Sequence, residues 1–511
     1  MKNILIITII ISGLFLSGCN DFLEEEPPFL SNSNVYADAD NATAALDGIY
    51  TGMVEFNGFG NAYYFVNGLY SGMMVTRRAG QNPNNPFNST LATLVTSSGG
   101  LNNNNLWLQF YIIIGRANDA IASAITTENP VTNDELVIND VVGQAYFLRA
   151  YHYYLFVSLW GDIPLRLQPT RLDDINLEIS PAKDVYAQII EDCRMAESLM
   201  NGSTGAHYPA SFAANMLLAK VYMNLATAES SVQPDDGITN YWQAAYDEAI
   251  KVSGQYALVE DYASLWVEGT SDGTSESIFE LQSSETASQD WVRAFTPAPW
   301  YISVATFGWL QVNADVYDTH ASTYPGDPRI DATYLSTWTQ TNNGTVANRY
   351  PVNATRANFN VAHPFFFKFA EKNTDKTTRV GNQNIVLFRY ADLLLMLAEI
   401  SNELQNGEQL GYVTEVLDRV NLTPQAGYSG TQDDFRNAIM FEYRFELLGE
   451  GYDAINVRRR GFDWMKVNLI DPHNTSSIFN PAVDVTFVDD ESLVMRIPIP
   501  DNEVNANQKI D

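Results

Sequence analysis

From Val141 to Leu159 the chain places Val141, Ala145, Leu148, His152, Leu155 and Leu159 on one stripe at helical spacing, and fills the rest of the helix with Phe147, Tyr151, Tyr153, Tyr154 and Phe156. Apolar residues recurring every three to four positions predict a helix. A helix that is apolar on most sides has to be enclosed by other elements rather than laid on a surface. Its limits are written locally. Thr132-Asn133-Asp134-Glu135 is a capping-box pattern that satisfies the first free backbone N–H groups, and Gly161 followed by Pro164 is a stop signal. A chain built around such a segment must supply further helices to cover it.

It does so. Ser180-Pro181 predicts the start of a helix carrying Val185, Ile189, Cys193, Ala196 and Met200 on one side. Ser211–Thr227, Tyr241–Val252, Tyr390–Leu404 and Phe435–Gly449 read as further helices, with small alanines where neighbours would meet. The expected fold is mostly α, a tetratricopeptide-like helical scaffold with long irregular loop insertions. Two stretches break the helical pattern, one from Phe56 to Asn105 and one from Gly269 to Lys376. Both are rich in Asn, Thr, Ser, Pro and aromatics, and within the second Ser277–Leu281 reads as a strand. Long irregular segments in such a scaffold are usually functional surface. The organisation read from this is a leader at 1–18, an acidic tether at 19–38, a helical region at 39–268 and a region with aromatic-rich loops at 269–511.

The amino terminus reads as a lipoprotein leader. Met1-Lys2-Asn3 carries the positive charge, Ile4–Phe15 is the apolar segment, and Leu16-Ser17-Gly18 precede Cys19. The apolar segment falls short of the ~20 residues that span a bilayer. Cys19 is the expected lipid attachment site, and the acidic, proline-containing stretch after it is an extended tether. The remaining cysteine, Cys193, lies on an apolar helix stripe and is expected to be a buried structural thiol. With 29 basic and 61 acidic residues the formal net charge is -32, which argues against nucleic acid, anionic lipid and polyanionic cargo.

Four of the nine tryptophans, Trp291, Trp300, Trp309 and Trp338, fall in the middle region with Tyr301, Phe295 and Phe307 among them. Flat aromatic rings suit the apolar C–H face of a sugar, and Asp290, Arg293, Gln311 and Asn313 could serve its polar rim. The competing reading is that these rings are core residues beneath long loops. Catalytic patterns are weak. Gly269-Thr270-Ser271-Asp272-Gly273 matches a hydrolase elbow formally, but a strand follows it where a helix is required. The five histidines are isolated, so no zinc site is expected, and His152 reads as a core residue. Asp38 and Asp40 begin like a calcium loop that lacks its Gly and its closing Glu. No catalytic residue, metal site or cofactor is expected.

Several segments in order resemble the SusD/RagB family of outer-membrane lipoproteins. They are Cys19-Asn20-Asp21-Phe22-Leu23-Glu24; Gln144–Tyr154 running to Trp160-Gly161-Asp162-Ile163-Pro164-Leu165; Phe388–Glu399; Phe441–Gly451 with Arg458-Arg459-Arg460-Gly461; and Ile497-Pro498-Ile499-Pro500 with Glu503 and Asn507. The sequence departs from the family pattern at Asn437-Ala438-Ile439-Met440, where basic residues are usual. The shared residues read as scaffold: Arg389 with Asp392, and Arg444 with Glu446, are expected to form buried polar networks, since buried charges need partners. The resemblance implies an outer-membrane, cell-surface, non-catalytic protein that binds an oligo- or polysaccharide and delivers it to a SusC-like TonB-dependent transporter. It also implies a binding platform that combines middle-region loops with an N-terminal loop, for which Tyr64, Arg77, Arg78 and Asn82 are the expected residues. The strong acidity favours a neutral glycan, with a β-glucan as an instance that no residue dictates. Peptide cargo is the alternative within the same fold, and a surface glycosidase or a ligand-free structural protein are further alternatives.

Overall fold

The computed structural model describes residues 35–76, 90–201, 208–283, 295–297, 300–348, 350, 363–370, 372, 374–375, 377, 381–477 and 485–510. The helices that build the scaffold are α1 (Ala39–Met53), α2 (Ala62–Tyr70), α3 (Leu101–Ser123), α4 (Asn133–Leu159), α5 (Ala182–Leu199), α6 (Phe212–Thr227), α7 (Tyr241–Val252), α8 (Ala314–Thr323), α9 (Arg329–Thr333), α10 (Tyr390–Leu404), α11 (Gln409–Asp418), α12 (Gln432–Leu447) and α13 (Asp453–Arg459). Successive helices pack on one another: α3 on α4, α4 on α5, α5 on α6 and α6 on α7. Helix α10 packs against α7, α11 and α12. This is the mostly α, repeat-like scaffold that the periodicity predicts. Among the described residues no helix is long and apolar enough to cross a membrane.

Helix α4 is the hub. From Val141 to Leu159 every residue except Tyr146 is buried. Its start is the predicted capping box: the Thr132 hydroxyl accepts from the Glu135 N–H at 3.3 Å, and the Glu135 carboxylate accepts from the Thr132 N–H at 2.9 Å. Its end is followed by Gly161 at φ +84°, a left-handed turn that glycine adopts without steric cost. Buried Arg149 on this helix holds Asp192 of α5 through two hydrogen bonds of 2.8 and 2.6 Å, and holds Asn118 of α3 at 2.8 Å. His152 is fully buried, and burial pushes its pKa down to about 4, so it is neutral, and its Nδ1–H donates to the Leu148 carbonyl at 2.7 Å. Cys193 is buried too, and burial raises its thiol well above its ordinary value, which keeps the nucleophilic thiolate out of reach.

Some local readings change. Ser180 does not cap α5, because it is drawn into a two-residue ladder with Ile163; the Asp162 carboxylate instead accepts from the Ala182 N–H at 2.7 Å. Asp38 caps α1 by accepting from the Asn41 N–H at 2.9 Å. Helix α12 begins three residues before Phe435, behind a capping box of Thr431 and Asp434.

Short antiparallel strands interrupt the helices, most of them in the irregular middle region or beside it. They are β1 (Met74–Thr76), β2 (Ile163–Pro164), β3 (Ile179–Ser180), β4 (Ser277–Leu281), β5 (Leu310–Val312), β6 (Tyr334–Leu335), β7 (Thr337–Thr339), β8 (Val346–Asn348), β9 (Phe365–Phe366) and β10 (Ile385–Arg389). One sheet runs β1-β5-β9-β6 and joins the N-terminal half to the middle region; β10 pairs with β4, as the strand reading of Ser277–Leu281 predicts.

Beneath these strands lies a buried ionic network. Arg389 at the end of β10 reaches Glu276, Glu446 and Glu450, each at 2.6 Å. Arg419 reaches Glu276 at 3.2 Å and Glu446 at 2.5 Å. Arg329 reaches Asp327 at 2.7 Å, Glu442 at 2.6 Å and Glu446 at 2.9 Å, and Lys368 reaches Glu450 at 2.7 Å. The partners expected from sequence are corrected here. Asp392 pairs with Lys220 of α6 at 2.6 Å, not with Arg389. Arg444 does not meet Glu446, because residues two apart on a helix face different sides. Its guanidinium instead lies over the rings of Phe441 and Trp464, at 4.8 and 5.5 Å from their centroids.

Two consequences are testable. Glu446→Gln removes the charge shared by Arg329, Arg389 and Arg419, and breaking such a buried set costs about 3–5 kcal/mol; chemical denaturation should register that loss, whereas Lys183→Ala, at a solvent-exposed pair with Asp235, stays within about 0.5 kcal/mol. Burial alone would raise Glu399, but Arg459 and Arg460 draw its pKa down to about 2. A depressed folded-state pKa contributes stability that is complete above the unfolded value of roughly 4.3 and is lost as pH falls towards the folded value. Glu399→Gln should therefore lower stability at neutral pH and flatten its decline between about pH 4.3 and 2, measured as denaturation midpoints across that range.

Candidate functional site

The aromatic residues of the middle region divide into buried and half-exposed sets. Strand β5 sits between β1 and β9, with Thr76 opposite Leu310 and Gln311 opposite Phe365. Just before β5, Phe307 and Trp309 are half-buried and stack with centroids 5.3 Å apart and an interplanar angle of 9°. Gly308 between them has φ +54°, and a Cβ there would collide with the ring of Phe365. The left-handed glycine is therefore required by both the backbone and the close approach of Phe365. The inner side of Trp309 meets Phe65 of α2, with centroids 6.1 Å apart.

Trp300, also half-buried, bridges two small apolar clusters, one of Tyr301 and Val304, the other of Leu335, Trp338 and Phe365. It meets Phe367 edge-to-face at 5.5 Å. The Lys372 ammonium stands 4.1 Å from the centroid of the Phe367 ring and donates to the carbonyls of Phe367 and Ala370 at 2.6 and 2.8 Å. Beside this cluster Ile302 is 66 % exposed. The segment that carries these rings is pinned from behind, since Lys368 follows Phe367 directly and its buried ammonium is held by Glu450 and by the Glu446 carbonyl at 2.8 Å.

The residues expected at the site are thus distributed as follows. Trp300 and Trp309 are half-buried. Tyr301 and Trp338 are buried, Trp338 with its ring edge against Phe365 at 5.5 Å. Tyr64 is buried on α2 among Tyr63, Phe295 and Phe369, because that helix is apolar on every side and buried throughout. Arg77, Arg78, Asn82 and Trp291, like Cys19, lie outside the described residues. The polar partners Gln311 and Asn313 are buried; Asn313 donates to the Gly72 carbonyl at 2.7 Å, a structural bond that ties β5 to the N-terminal half. Phe367 was not singled out from sequence; the run Phe365-Phe366-Phe367 hinted at it, but only the pairing of β9 turns Phe365 and Phe366 inward and leaves Phe367 half-buried.

Ser271, the formal elbow serine, is buried, donates to Asp272 at 2.9 Å and precedes β4. Among the described residues no group of three or more His, Cys, Asp or Glu is arranged to hold a metal ion.

A scaffold of stacked helices with an aromatic-rich insertion matches known proteins. One family profile, described as the SusD family, matches residues 275–511, and a second, described as starch-binding associating with outer membrane, matches residues 21–223. The chain is a SusD-like protein. SusD-like protein P2 of Formosa agariphila is 26% identical over 481 residues, covering 89% of this chain and 90% of its own. A SusD homolog from Bacteroides thetaiotaomicron shares the fold with a TM-score of 0.74 at 20% identity, over 96% of this chain and 99% of the other. The surface glycan-binding protein A from Bacteroides fluxus aligns with a TM-score of 0.70 at 20% identity, over 92% and 98% of the two chains.

Gly308→Ala in this SusD-like protein forces a methyl into the Phe365 ring at a positive φ. Overpacking of this kind costs typically about 1–3 kcal/mol. The expected outcome is a lower denaturation midpoint together with a changed near-ultraviolet circular dichroism signal as the Phe307–Trp309 stack is displaced.

Proposed function

We propose that this SusD-like protein binds an oligo- or polysaccharide at the cell surface and passes it to a SusC-like TonB-dependent transporter without chemical conversion. The observation that carries the reading is the stacked Phe307–Trp309 pair, half-open to solvent. Trp300 and Phe367 form a second half-open aromatic pair in the same middle region. Flat rings held rigidly from behind by β5, β9 and the ionic network offer preformed stacking surfaces to sugar rings, and preorganisation of this kind reduces the ordering cost of binding. The family supports glycan binding and association with the outer membrane. In this reading Cys19 carries the lipid that holds the protein to that membrane, and the acidic tether lets the body stand off its surface. The cargo is a neutral glycan, because the net charge of -32 repels polyanions at long range.

Affinity electrophoresis against neutral and anionic polysaccharides tests this. The expected result is retardation by a neutral glycan with no hydrolysis of the gel sugar. Trp309→Ala or Trp300→Ala should weaken it by roughly 2- to 12-fold, the equivalent of about 0.5–1.5 kcal/mol per aromatic contact. Failure of every glycan to retard the protein would shift the assignment to peptide cargo, and hydrolysis would replace capture with glycosidase activity.

A further inference from the structure

A second concave site lies on the helical scaffold, away from the aromatic loops. It is a cavity of about 310 Å³ between the ends of α4, α6 and α13 and the C-terminal segment around Arg496. Its polar side is made by Ser158, Asn224 and Tyr186, with Asn224 donating to the Ser158 hydroxyl at 3.0 Å. Ile455, Phe462 and Met495 supply apolar wall.

Three arginines line it, and they differ in their partners. Arg459 is neutralised by Glu399 at 2.5 Å. Arg458 is 3 % exposed, lies over the Tyr70 ring at 3.2 Å from its centroid, donates to the carbonyls of Val494 and Ala454, and has an Nη2 that meets no acceptor. Arg496 donates to the carbonyls of Ser158 and Met495, at 3.4 and 3.1 Å. Neither Arg458 nor Arg496 pairs with a carboxylate among the described residues, in a chain with 61 acidic and 29 basic residues. A buried charge normally finds a counter-charge. Buried Arg458 and exposed Arg496, neither paired with a carboxylate among the described residues, put two guanidinium groups on one cavity, which is an anion's complement, and the planar guanidinium is suited to a carboxylate.

We infer that this cavity binds a small hydroxylated carboxylate of hexuronic-acid size, its carboxylate set against Arg496 and Arg458 and its hydroxyls against Ser158, Asn224 and Tyr186. The charge of the ligand is bounded by the same walls. Exposed Glu229 and Glu491 also line the cavity, and their charges disfavour a multiply charged phosphate or a polyanion while leaving a single carboxylate acceptable. Gly161 at the end of α4 contributes by its missing side chain, since a Cβ there would lie 3.3 Å from the Nε of Arg496 and press on the arginine stem.

Isothermal titration of the full chain in detergent tests this, using sodium galacturonate, galactose and inorganic phosphate at matched ionic strength. Galacturonate should bind and raise the melting temperature, while galactose and phosphate at the same concentration should not. Arg496 is exposed, so Arg496→Gln should fold and should weaken galacturonate binding about tenfold or more, as expected for loss of a hydrogen bond to a charged group. Ser158→Ala should weaken it by a smaller factor. Trp300→Ala, which belongs to the aromatic loops, should leave it unchanged, so this site and the glycan platform succeed or fail separately. Absence of galacturonate binding, equal binding by Arg496→Gln, or binding of phosphate in preference to galacturonate would each overturn the assignment.

Discussion

The carboxylate of Glu446 accepts hydrogen bonds from Arg329, Arg389 and Arg419, all within 2.9 Å and all away from solvent. These three arginines come from α9, from the end of β10 and from the end of α11, so one side chain of α12 joins four parts of the chain. The other carboxylates extend the set: Glu276 just ahead of β4, Glu442 one turn earlier on α12, and Glu450 just beyond it. Burial works against this concentration of charge. It raises Glu442 above its ordinary value despite the pull of Arg329, while Glu446, pressed by three guanidinium groups, stays well below the usual carboxylate range. A buried set of this kind adds little net stability relative to an apolar core of the same shape, yet it tolerates no missing member. Its effect is on arrangement, because each arginine finds its hydrogen bonds only when the strand or helix carrying it is in register.

The candidate binding face depends on that arrangement. Lys368 extends the network to the chain immediately after Phe365–Phe367, and β9 carries the ring that packs against Gly308. The stacked pair Phe307–Trp309 and the rings of Trp300 and Phe367 are therefore outer elements on a rigid base. Rigid aromatic surface is what binding of a stiff, hydroxylated chain requires, since loops that had to order on contact would lose affinity to entropy. The cavity lined by Arg458 and Arg496 has a different foundation. It is formed where the scaffold helices end, and the one carboxylate that reaches its arginine wall, Glu399, is shared by Arg459 and Arg460 rather than by Arg458 or Arg496.

Much of the scaffold was legible in sequence because its signals are local. The capping box at Thr132, the stop at Gly161, the stripe through Cys193 and the strand at Ser277–Leu281 each depend on residues a few positions apart. The failures were of another kind. Ser180 could not be told from a cap because Asp162, its replacement, lies 20 residues before Ala182 in the chain and is brought near by the Ile163–Ser180 ladder. Arg389 was assigned to Asp392 by proximity in sequence, whereas Lys220 of α6 takes that carboxylate. Among the aromatics, composition placed a cluster in the middle region but could not say which rings would be covered: Tyr64 and Trp338 go inside, and Trp300 and Trp309 stay half-open.

Sequence by itself determined the helical class, the positions of most helices and the resemblance to the SusD-like family, because helix periodicity, caps and an ordered series of motifs are written in neighbouring residues. Tertiary structure decided the partners of the buried charges and the exposure of each aromatic ring. Both are set by contacts between residues tens to hundreds of positions apart, such as Glu276 with Arg389 and Gly308 with Phe365, and no local pattern encodes which surface of a side chain a distant strand will cover.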